Sequence, residues 1–261
     1  MAVEVVHWNP SRPIVGGLLG KAIPIRRPVD NFGDLLGPLI VAELVRREGL
    51  AEPERSRRLV SVGSIMRMAK DGDTVWGTGV NGKTMADPLP ARQLDVRAVR
   101  GPLTRDYLAG NGIQAPAVFG DPGLLVGHLW PRETLAKPKA AAGHVVVPNL
   151  HDLPSTRGRK DVIDPTDAVW DVLARIASAE LVVGSSLHGV IVAESFGIPA
   201  RLVRSSTEPR FKYEDYYLGT GRPEFEIADD IDTALALGGE PLPVGWDPQP
   251  LLQAFPRDLW S

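Results

Sequence analysis

The sequence of 261 residues contains no cysteine. This absence excludes disulfide bonds, a catalytic thiolate and cysteine-ligated metals. No stretch approaches the roughly 18 apolar residues that a membrane-spanning helix needs, and the first residues, Met-Ala-Val-Glu-Val-Val, lack the long apolar segment of a secretory signal. A formal net charge of −3 gives no indication of a nucleic-acid partner. We therefore expect a cytoplasmic protein, either free or in peripheral contact with the inner face of the cell membrane.

Metal-binding patterns are also missing from the sequence. The five histidines show no paired spacing such as His-x-x-x-His, and no dense cluster of carboxylates occurs. We therefore expect no metal site.

Short apolar, β-branched runs alternate with helical patterns along the whole chain. Amphipathic or capped helices are predicted at 33–48, from Pro102 onward and at 166–179. Strands are predicted at 3–8, 58–62, 73–78, 95–99, 116–120, 144–148, 181–184 and 200–204. Runs this apolar between helices indicate parallel sheets that are covered on both faces, hence the α/β class.

The alternation of strand and helix patterns is interrupted at 130–143, a stretch rich in Ala, Lys and Pro. This stretch divides the predicted strands and helices into two series. We predict a linker there and two Rossmann-like domains, 1–130 and 144–240, with a cleft between them. This is similar to the GT-B architecture. The segment 241–261 has an apolar face and is predicted to form a terminal helix that packs back on the N-terminal domain.

The run from 183 to 199, Val-Gly-Ser-Ser-Leu-His-Gly-Val-Ile-Val-Ala-Glu-Ser-Phe-Gly-Ile-Pro, is the most informative segment. A predicted strand enters a Gly-Ser-Ser turn, and the helix that follows carries His188 in its first turn. Ligands of open α/β sheets bind at the carboxyl ends of strands, and a helix N-terminus favours anions. A histidine there can contact a phosphate or carboxylate and transfer a proton. The alternative is a histidine with a structural role.

A second loop also indicates a ligand. Gly77, Gly79 and Gly82 match Gly-x-Gly-x-x-Gly, but the following Lys-Thr-Met-Ala-Asp-Pro is a poor start for the helix of a dinucleotide site. We interpret these residues as a loop that approaches a sugar or a phosphate.

The block Ser-Leu-His-Gly-x-Ile-x-Ala-Glu-x-Phe-Gly-Ile-Pro resembles the signature of the polysaccharide pyruvyltransferase family. Further segments resemble that family in the same order, over roughly residues 30 to 260. They are Asn-Phe-Gly-Asp at 31–34, Val-Arg-Gly-Pro-Leu-Thr at 99–104, Gly-Asp-Pro at 120–122 and Phe-Lys-Tyr-Glu-Asp-Tyr-Tyr at 211–217.

The resemblance implies transfer of the enolpyruvyl group of phosphoenolpyruvate to two hydroxyls of one sugar, as a pyruvate ketal. The setting would be the biosynthesis of an exopolysaccharide or a cell-surface glycan. It implies phosphoenolpyruvate as co-substrate without another cofactor, and a lipid-linked oligosaccharide or glycolipid as acceptor. His188 would transfer a proton, as acid or as base, and Asp34 would orient a sugar hydroxyl or accept its proton.

For the donor, the family usually has an arginine two residues before the histidine, where this chain has Ser186. Another cation must then hold the donor's phosphate and carboxylate. Arg100 and Lys212 are our candidates, with Arg204 and Arg210 as further options. The predicted donor site comprises Ser185, Ser186, Leu187, His188, Gly189, Arg100 and Lys212.

For the acceptor, we predict contacts from the N-terminal domain and from one aromatic segment. The predicted residues are Asn31, Gly33, Asp121 and Tyr216. Several of the candidate residues also have a purely structural alternative. Asn31 and Asp34 suit helix capping, Asp121 could only organise its turn, and Tyr216 could lie in the core.

Two other functions remain open from the sequence. One is a GT-B glycosyltransferase that uses a nucleotide sugar. The pair of glutamates separated by seven residues, found in many retaining members, does not occur in the C-terminal half. The other is that of a non-catalytic glycan-binding relative. The serine at position 186, where the family usually has an arginine, keeps this alternative open.

Overall fold

The computed structural model describes residues 2–13, 26–83, 85–137 and 143–260. A first parallel sheet has the strand order β1-β4-β5-β6. Its strands are β1 Val3–Val6, β4 Arg57–Val60, β5 Thr74–Trp76 and β6 Asp95–Ala98. Val3 pairs with Arg57 and Val6 with Val60, so β1 and β4 run in register over their whole length. A short antiparallel pair, β2 Ser11–Pro13 and β3 Arg26–Pro28, lies outside this sheet.

A second parallel sheet has the order β7-β8-β9. Its strands are β7 Val145–Val146, β8 Val182–Gly184 and β9 Ala200–Leu202. All three are buried, as expected for strands that helices cover on both faces. The predicted α/β class, with separate parallel sheets in the two halves, is therefore confirmed.

Nine α-helices occur in the described part of the chain. They are α1 Phe32–Glu48, α2 Pro102–Gly110, α3 Val126–Leu129, α4 Arg132–Leu135, α5 Val169–Ala177, α6 Leu187–Ser195, α7 Phe211–Gly219, α8 Ile231–Leu237 and α9 Gln249–Gln253. Within this part, no helix is both long and apolar enough to cross a membrane.

Helix α1 begins within one residue of its predicted start and carries the Asn-Phe-Gly-Asp segment at its N-terminus. Leu36, Ile40 and Leu44 are buried at helical spacing, and the helix contacts β1, α3 and α5. The helix ends at Gly49, whose φ of 63° is the left-handed conformation that glycine adopts most easily. These contacts fix the position of the Asn31–Asp34 turn.

Helices join the two sheets. Helix α1 contacts α5, α2 contacts α7, and the 3₁₀ turn Pro122–Leu125 contacts α6. One hydrophobic cluster extends from Val3 through the second sheet to Trp260.

The C-terminal segment lies against the first sheet. The Nε1–H of Trp76 in β5 donates to the carbonyl of Leu251 at 2.9 Å, and Phe255 packs edge-on against Trp76 at 5.0 Å between ring centroids. Helix α9 and the 3₁₀ turn Arg257–Leu259 form this segment. The apolar face noted in the sequence makes these contacts.

The predicted strand at 116–120 needs correction, because it is reduced to one bridge between Val99 and Phe119. The aromatic segment at 215–217 lies inside α7. The predicted linker at 130–143 contains helix α4, and its residues 138–142 lie outside the described part. The domain limits stay a prediction.

Candidate active site

A cavity of about 380 Å³ opens between the two halves of the chain. The N-terminal half contributes Trp8, Asn31, Asp34, Ser64, Ile65, Asn81 and Lys83, and the C-terminal half contributes Asn149, Leu150, His151, Ser186, Leu187, His188, Glu208 and Lys212. The wall from β8 into α6 is the carboxyl end of a parallel strand, where the sequence predicted a ligand.

Ser186 caps the helix that carries His188. Its Oγ accepts a hydrogen bond from the backbone N–H of Gly189 at 3.2 Å. A Cβ on Gly189 would lie 2.8 Å from the side chain of Val147, so only glycine lets α6 start this close to the end of β7. The turn therefore holds His188 at the cavity wall.

Glycines of the N-terminal half surround the ring of His188. A Cβ on Gly33 would lie 2.3 Å from the ring Nδ1, and one on Gly63 would lie 3.7 Å from Cε1. The Nε2 atom points to the carboxylate of Asp121, at 3.8 Å from Oδ2. The His188 side chain is 14% exposed, and that of Asp121 is fully buried.

Asp34 lies in the first turn of α1 and also lines the cavity. Burial raises the pKa of its carboxyl group, although the charges of His188 and Lys212 and a 2.8 Å hydrogen bond from Asn31 Nδ2 act in the opposite direction. This carboxyl group therefore holds its proton more tightly than that of an exposed aspartate.

Two lysines meet one carboxylate at the cavity wall. Glu208 accepts from Lys212 Nζ at 2.8 Å and from Lys83 Nζ at 2.5 Å. Burial, opposed by Glu208, lowers the pKa of Lys212. Burial also acts to raise the pKa of Glu208, but the two lysines outweigh it and lower that pKa. Two ammonium groups against one carboxylate give this group of three side chains a net positive charge.

A family model for polysaccharide pyruvyl transferases matches residues 54–207, which is more than half of the chain. The chain belongs to the polysaccharide pyruvyl transferase family. The matched range includes His188, Asp121 and Lys83, whereas Asn31, Asp34 and Lys212 lie outside it.

The curated relative is a succinoglycan biosynthesis protein, ExoV, of Rhizobium meliloti. It is 30% identical over 201 residues, which are 71% of this chain and 60% of the relative. The chain thus spans about 60% of the length of the curated relative that it matches.

Among solved structures, a functionally uncharacterised protein from Klebsiella pneumoniae is similar with a TM-score of 0.45 and 12% identity, over 72% of this chain and 83% of that one. A similarity at this level supports no argument.

Several residues that the family resemblance suggested do line the cavity. They are Asn31, Asp34, Ser186, Leu187, His188 and Lys212. Gly33 allows close packing against the ring of His188, and Gly189 lets α6 approach Val147. The roles of all these residues stay predictions.

Arg100 does not line the cavity, contrary to expectation. Its side chain is fully buried, with Nε donating to Asp215 at 3.0 Å and Nη2 donating to the carbonyl of Val80 at 2.7 Å. It reaches the cavity wall only through Ser64, whose Oγ accepts from Nη1 at 2.5 Å. Because Asp215 already neutralises it, Arg100 is a structural cation in this family member.

Tyr216 and Asp121 are too buried to contact an acceptor. The hydroxyl of Tyr216 donates to Glu194, which is also held by Arg222 at 2.7 and 2.8 Å. Neither Tyr216 nor Asp121 has any exposed surface. Their predicted contact with the acceptor has no support in this geometry, and Asp121 lies beneath His188.

Ser185 is a structural residue as well. Its Oγ accepts from the backbone N–H of Asn149 at 3.1 Å, and its carbonyl accepts from the hydroxyl of Tyr213 at 2.9 Å. The further cations considered from sequence are engaged elsewhere: Arg204 pairs with Asp229 at 2.9 Å, and Arg210 lies over the ring of Phe225.

The sequence reasoning missed Trp8, Ser64, Asn81, Lys83, Asn149 and Glu208 as residues of the site. The glycine-rich loop at 77–82 was the signal for two of them, because Asn81 and Lys83 lie at its end. Across the described ranges, no group of three or more histidine, aspartate or glutamate side chains could hold a metal ion.

Proposed function

We propose that this protein joins the enolpyruvyl unit of phosphoenolpyruvate to two hydroxyls of one sugar as a cyclic ketal. The vinyl CH₂ gains a proton and becomes a methyl group, and both hydroxyl oxygens form bonds to the former vinyl C2. The bond from C2 to the phosphate oxygen breaks, and hydrogen phosphate leaves. The two hydroxyl protons account for the new methyl hydrogen and the proton on phosphate. These are acid–base steps, so we propose no cofactor beyond phosphoenolpyruvate as co-substrate.

One observation carries this proposal: His188, Asp34 and a lysine-rich wall face one cavity in a chain of the polysaccharide pyruvyl transferase family. The donor carries a phosphate and a carboxylate. Lys83 and Lys212 supply positive charge for them, and the N–H groups in the first turn of α6 have no carbonyl partner within the helix. The lysines thereby take the part of the arginine that Ser186 replaces.

We assign the two proton transfers to Asp34 and His188. Burial raises the pKa of Asp34, so its carboxyl group is suited to protonate the vinyl carbon. His188 then accepts the proton of the attacking hydroxyl. Two neighbouring groups in different protonation states can divide acid and base roles in this way.

The acceptor would bind on the side of the N-terminal half, in a GT-B-like arrangement of the two halves. Trp8 and Asn31 lie on that side, and Trp8 is 41% exposed at the cavity. An exposed aromatic ring beside polar groups is a suitable surface for a sugar. The relative's part in succinoglycan biosynthesis supports a polysaccharide precursor. We propose a lipid-linked oligosaccharide or a glycolipid, met at the inner face of the cell membrane by a cytoplasmic protein.

The test is phosphate release from phosphoenolpyruvate in the presence of a panel of lipid-linked and aryl glycosides. We expect release that depends on both substrates, and a product heavier by one pyruvate less one water. The His188→Ala variant should lose this release while its melting temperature stays close to that of the wild type. Stabilisation by a nucleotide sugar, with none by phosphoenolpyruvate, would instead support a glycosyltransferase.

A further inference from the structure

Two buried polar atoms face each other beneath the cavity without a hydrogen bond. Asp121 Oδ2 and His188 Nε2 are both sealed from solvent, and neither has a hydrogen-bond partner among the residues that the structure describes. They are 3.8 Å apart. An unpaired buried polar group is costly, and a shift of about 1 Å would satisfy both atoms at once. Catalytic hydrogen bonds are often this long before substrate binds.

The carboxylate of Asp121 has a fixed orientation. Its Oδ1 accepts from the backbone N–H of Gly123 at 2.9 Å, at the start of the 3₁₀ turn Pro122–Leu125. That turn packs against α6, the helix that carries His188. Oδ2 is therefore held toward the imidazole by the contact between the two halves of the chain.

We propose that Asp121 is the positioning residue of His188: its carboxylate keeps the proton of the neutral ring on Nε2. The lone pair then lies on Nδ1, beside Gly33 in the Asn31–Asp34 turn. Because Nε2 is sealed, Nδ1 is the nitrogen that exchanges a proton with a ligand. When Nδ1 takes the proton of a hydroxyl, the Asp121 carboxylate stabilises the resulting imidazolium. This inference rests on the proposed role of His188 as a base.

Asp121→Asn tests the inference sharply because the amide can adopt only one useful orientation. The N–H of Gly123 needs an acceptor, so the amide oxygen takes the place of Oδ1 and the NH₂ group faces Nε2. An amide that donates to Nε2 forces the ring proton onto Nδ1. In the Ser-His-Asp proteases the same substitution produces the wrong tautomer and lowers kcat by about 10⁴-fold.

The direct measurement is ¹⁵N NMR of histidine-labelled protein at pH 8, where an ordinary imidazole is neutral. The His188 signals are identified by their loss in His188→Ala. We expect the Nε2–H tautomer in the wild type and the Nδ1–H tautomer in Asp121→Asn. A wild-type Nδ1–H tautomer, or a doubly protonated ring at pH 8, overturns the inference. The wild-type spectrum decides this even if Asp121→Asn fails to fold.

Kinetics provide the second measurement. Asp121→Asn should lower kcat by about 10³-fold or more, with the KM for phosphoenolpyruvate changed less than threefold. Asp230→Asn is the matched control, because Asp230 also caps a helical turn, through Thr233 N–H at 2.8 Å, but stands outside the cavity. A kcat of Asp121→Asn as high as that of Asp230→Asn contradicts the inference. If the wild type releases no phosphate, the proposed function fails, whereas the tautomer measurement still tests the role of Asp121.

Discussion

Two lysines and one glutamate form a charged wall of the cavity. Lys212 is 12% exposed and bonded to Glu208, whereas Lys83 is 41% exposed and reaches the same carboxylate from the glycine-rich loop. A bound anion would compete with Glu208 for both ammonium groups. The more buried lysine should matter more, because its charge is less screened by water.

Lys212→Ala should therefore raise the KM for phosphoenolpyruvate roughly tenfold to a hundredfold, the equivalent of a charge-assisted contact of about 1.5–3 kcal/mol. Lys83→Ala should have a smaller effect in the same direction. Steady-state kinetics checks this, with Arg210→Ala as the control, since Arg210 lies over Phe225 and not in the cavity. An unchanged KM in Lys212→Ala would remove this lysine from the donor site.

Asp34 has a proposed role in proton transfer, and its burial also affects the stability of the folded protein. Burial raises its pKa above the ordinary value of 3.8, so the folded protein binds its proton more tightly than the unfolded chain does. The stability from this group is complete below the unfolded pKa and is lost as the pH rises through the folded pKa. Whenever Asp34 is ionised, its buried charge therefore destabilises the folded protein.

Asp34→Asn should remove this destabilisation, because an amide carries no charge. We expect a higher melting temperature than that of the wild type at pH 7 to 8, and a difference that shrinks as the pH falls through the raised pKa of Asp34 and is gone below the ordinary value of 3.8. Phosphate release should fall at the same time, because the amide cannot donate a proton to carbon. Thermal unfolding across pH checks the sign. A variant less stable than the wild type at pH 8 would show that the hydrogen bond from Asn31 outweighs burial.

At the scale of elements, the first turn of α1 lies directly against the first turn of α6. Gly33 makes this possible, since a Cβ there would overlap the ring of His188. One turn later, a Cβ on Gly37 would lie 3.5 Å from Val62, an ordinary contact. Alanine substitutions at these two glycines therefore distinguish the effect of helix propensity from the effect of displacing His188.

Gly37→Ala should change stability by less than about 1 kcal/mol, because the gain in helix propensity is opposed by crowding of the new Cβ against the following Pro38, and it should leave phosphate release unchanged. Gly33→Ala has the same gain in propensity but should lose most of the activity, since His188 must move. Activity and chemical denaturation of the two variants provide the measurement. Full activity in Gly33→Ala would show that the ring can shift without consequence.

At the scale of the whole molecule, a buried ion pair connects the two halves. Arg100 precedes α2, and Asp215 lies in α7, 115 residues later. The carboxylate also accepts from the N–H and the hydroxyl of Thr104, at 2.9 and 2.7 Å. Removing one partner of such a pair leaves an uncompensated charge in the interior.

Arg100→Met should accordingly destabilise the protein by about 3–5 kcal/mol. Arg97→Met, near the same sheet edge, removes an exposed pair with Asp95 and Asp258 and should cost less than about 1 kcal/mol. Urea denaturation of both variants measures the difference. Equal losses would mean that the buried pair contributes no more than a surface pair.

Local patterns in the sequence predicted the strands and helices around the site. The helices at 33–48 and 166–179 and the strand at 181–184 follow from the periodicity of apolar residues, and the turn before His188 follows from its Gly-Ser-Ser composition. The strand at 116–120 was wrong as an extended element, because only one bridge to Val99 holds it. A short apolar run does not specify how many neighbours it pairs with.

What the sequence alone determined is therefore the α/β class, the strand–turn–helix around His188 and the membership of the family. Each follows from short local segments and from their order along the chain. Only the tertiary structure decided which charges stay available to a ligand. Arg100 is neutralised by Asp215, Lys83 joins Glu208 from 125 residues away, and Asp121 lies beneath His188. The energy of a charge depends on its burial and on its partner, and folding alone brings those partners together.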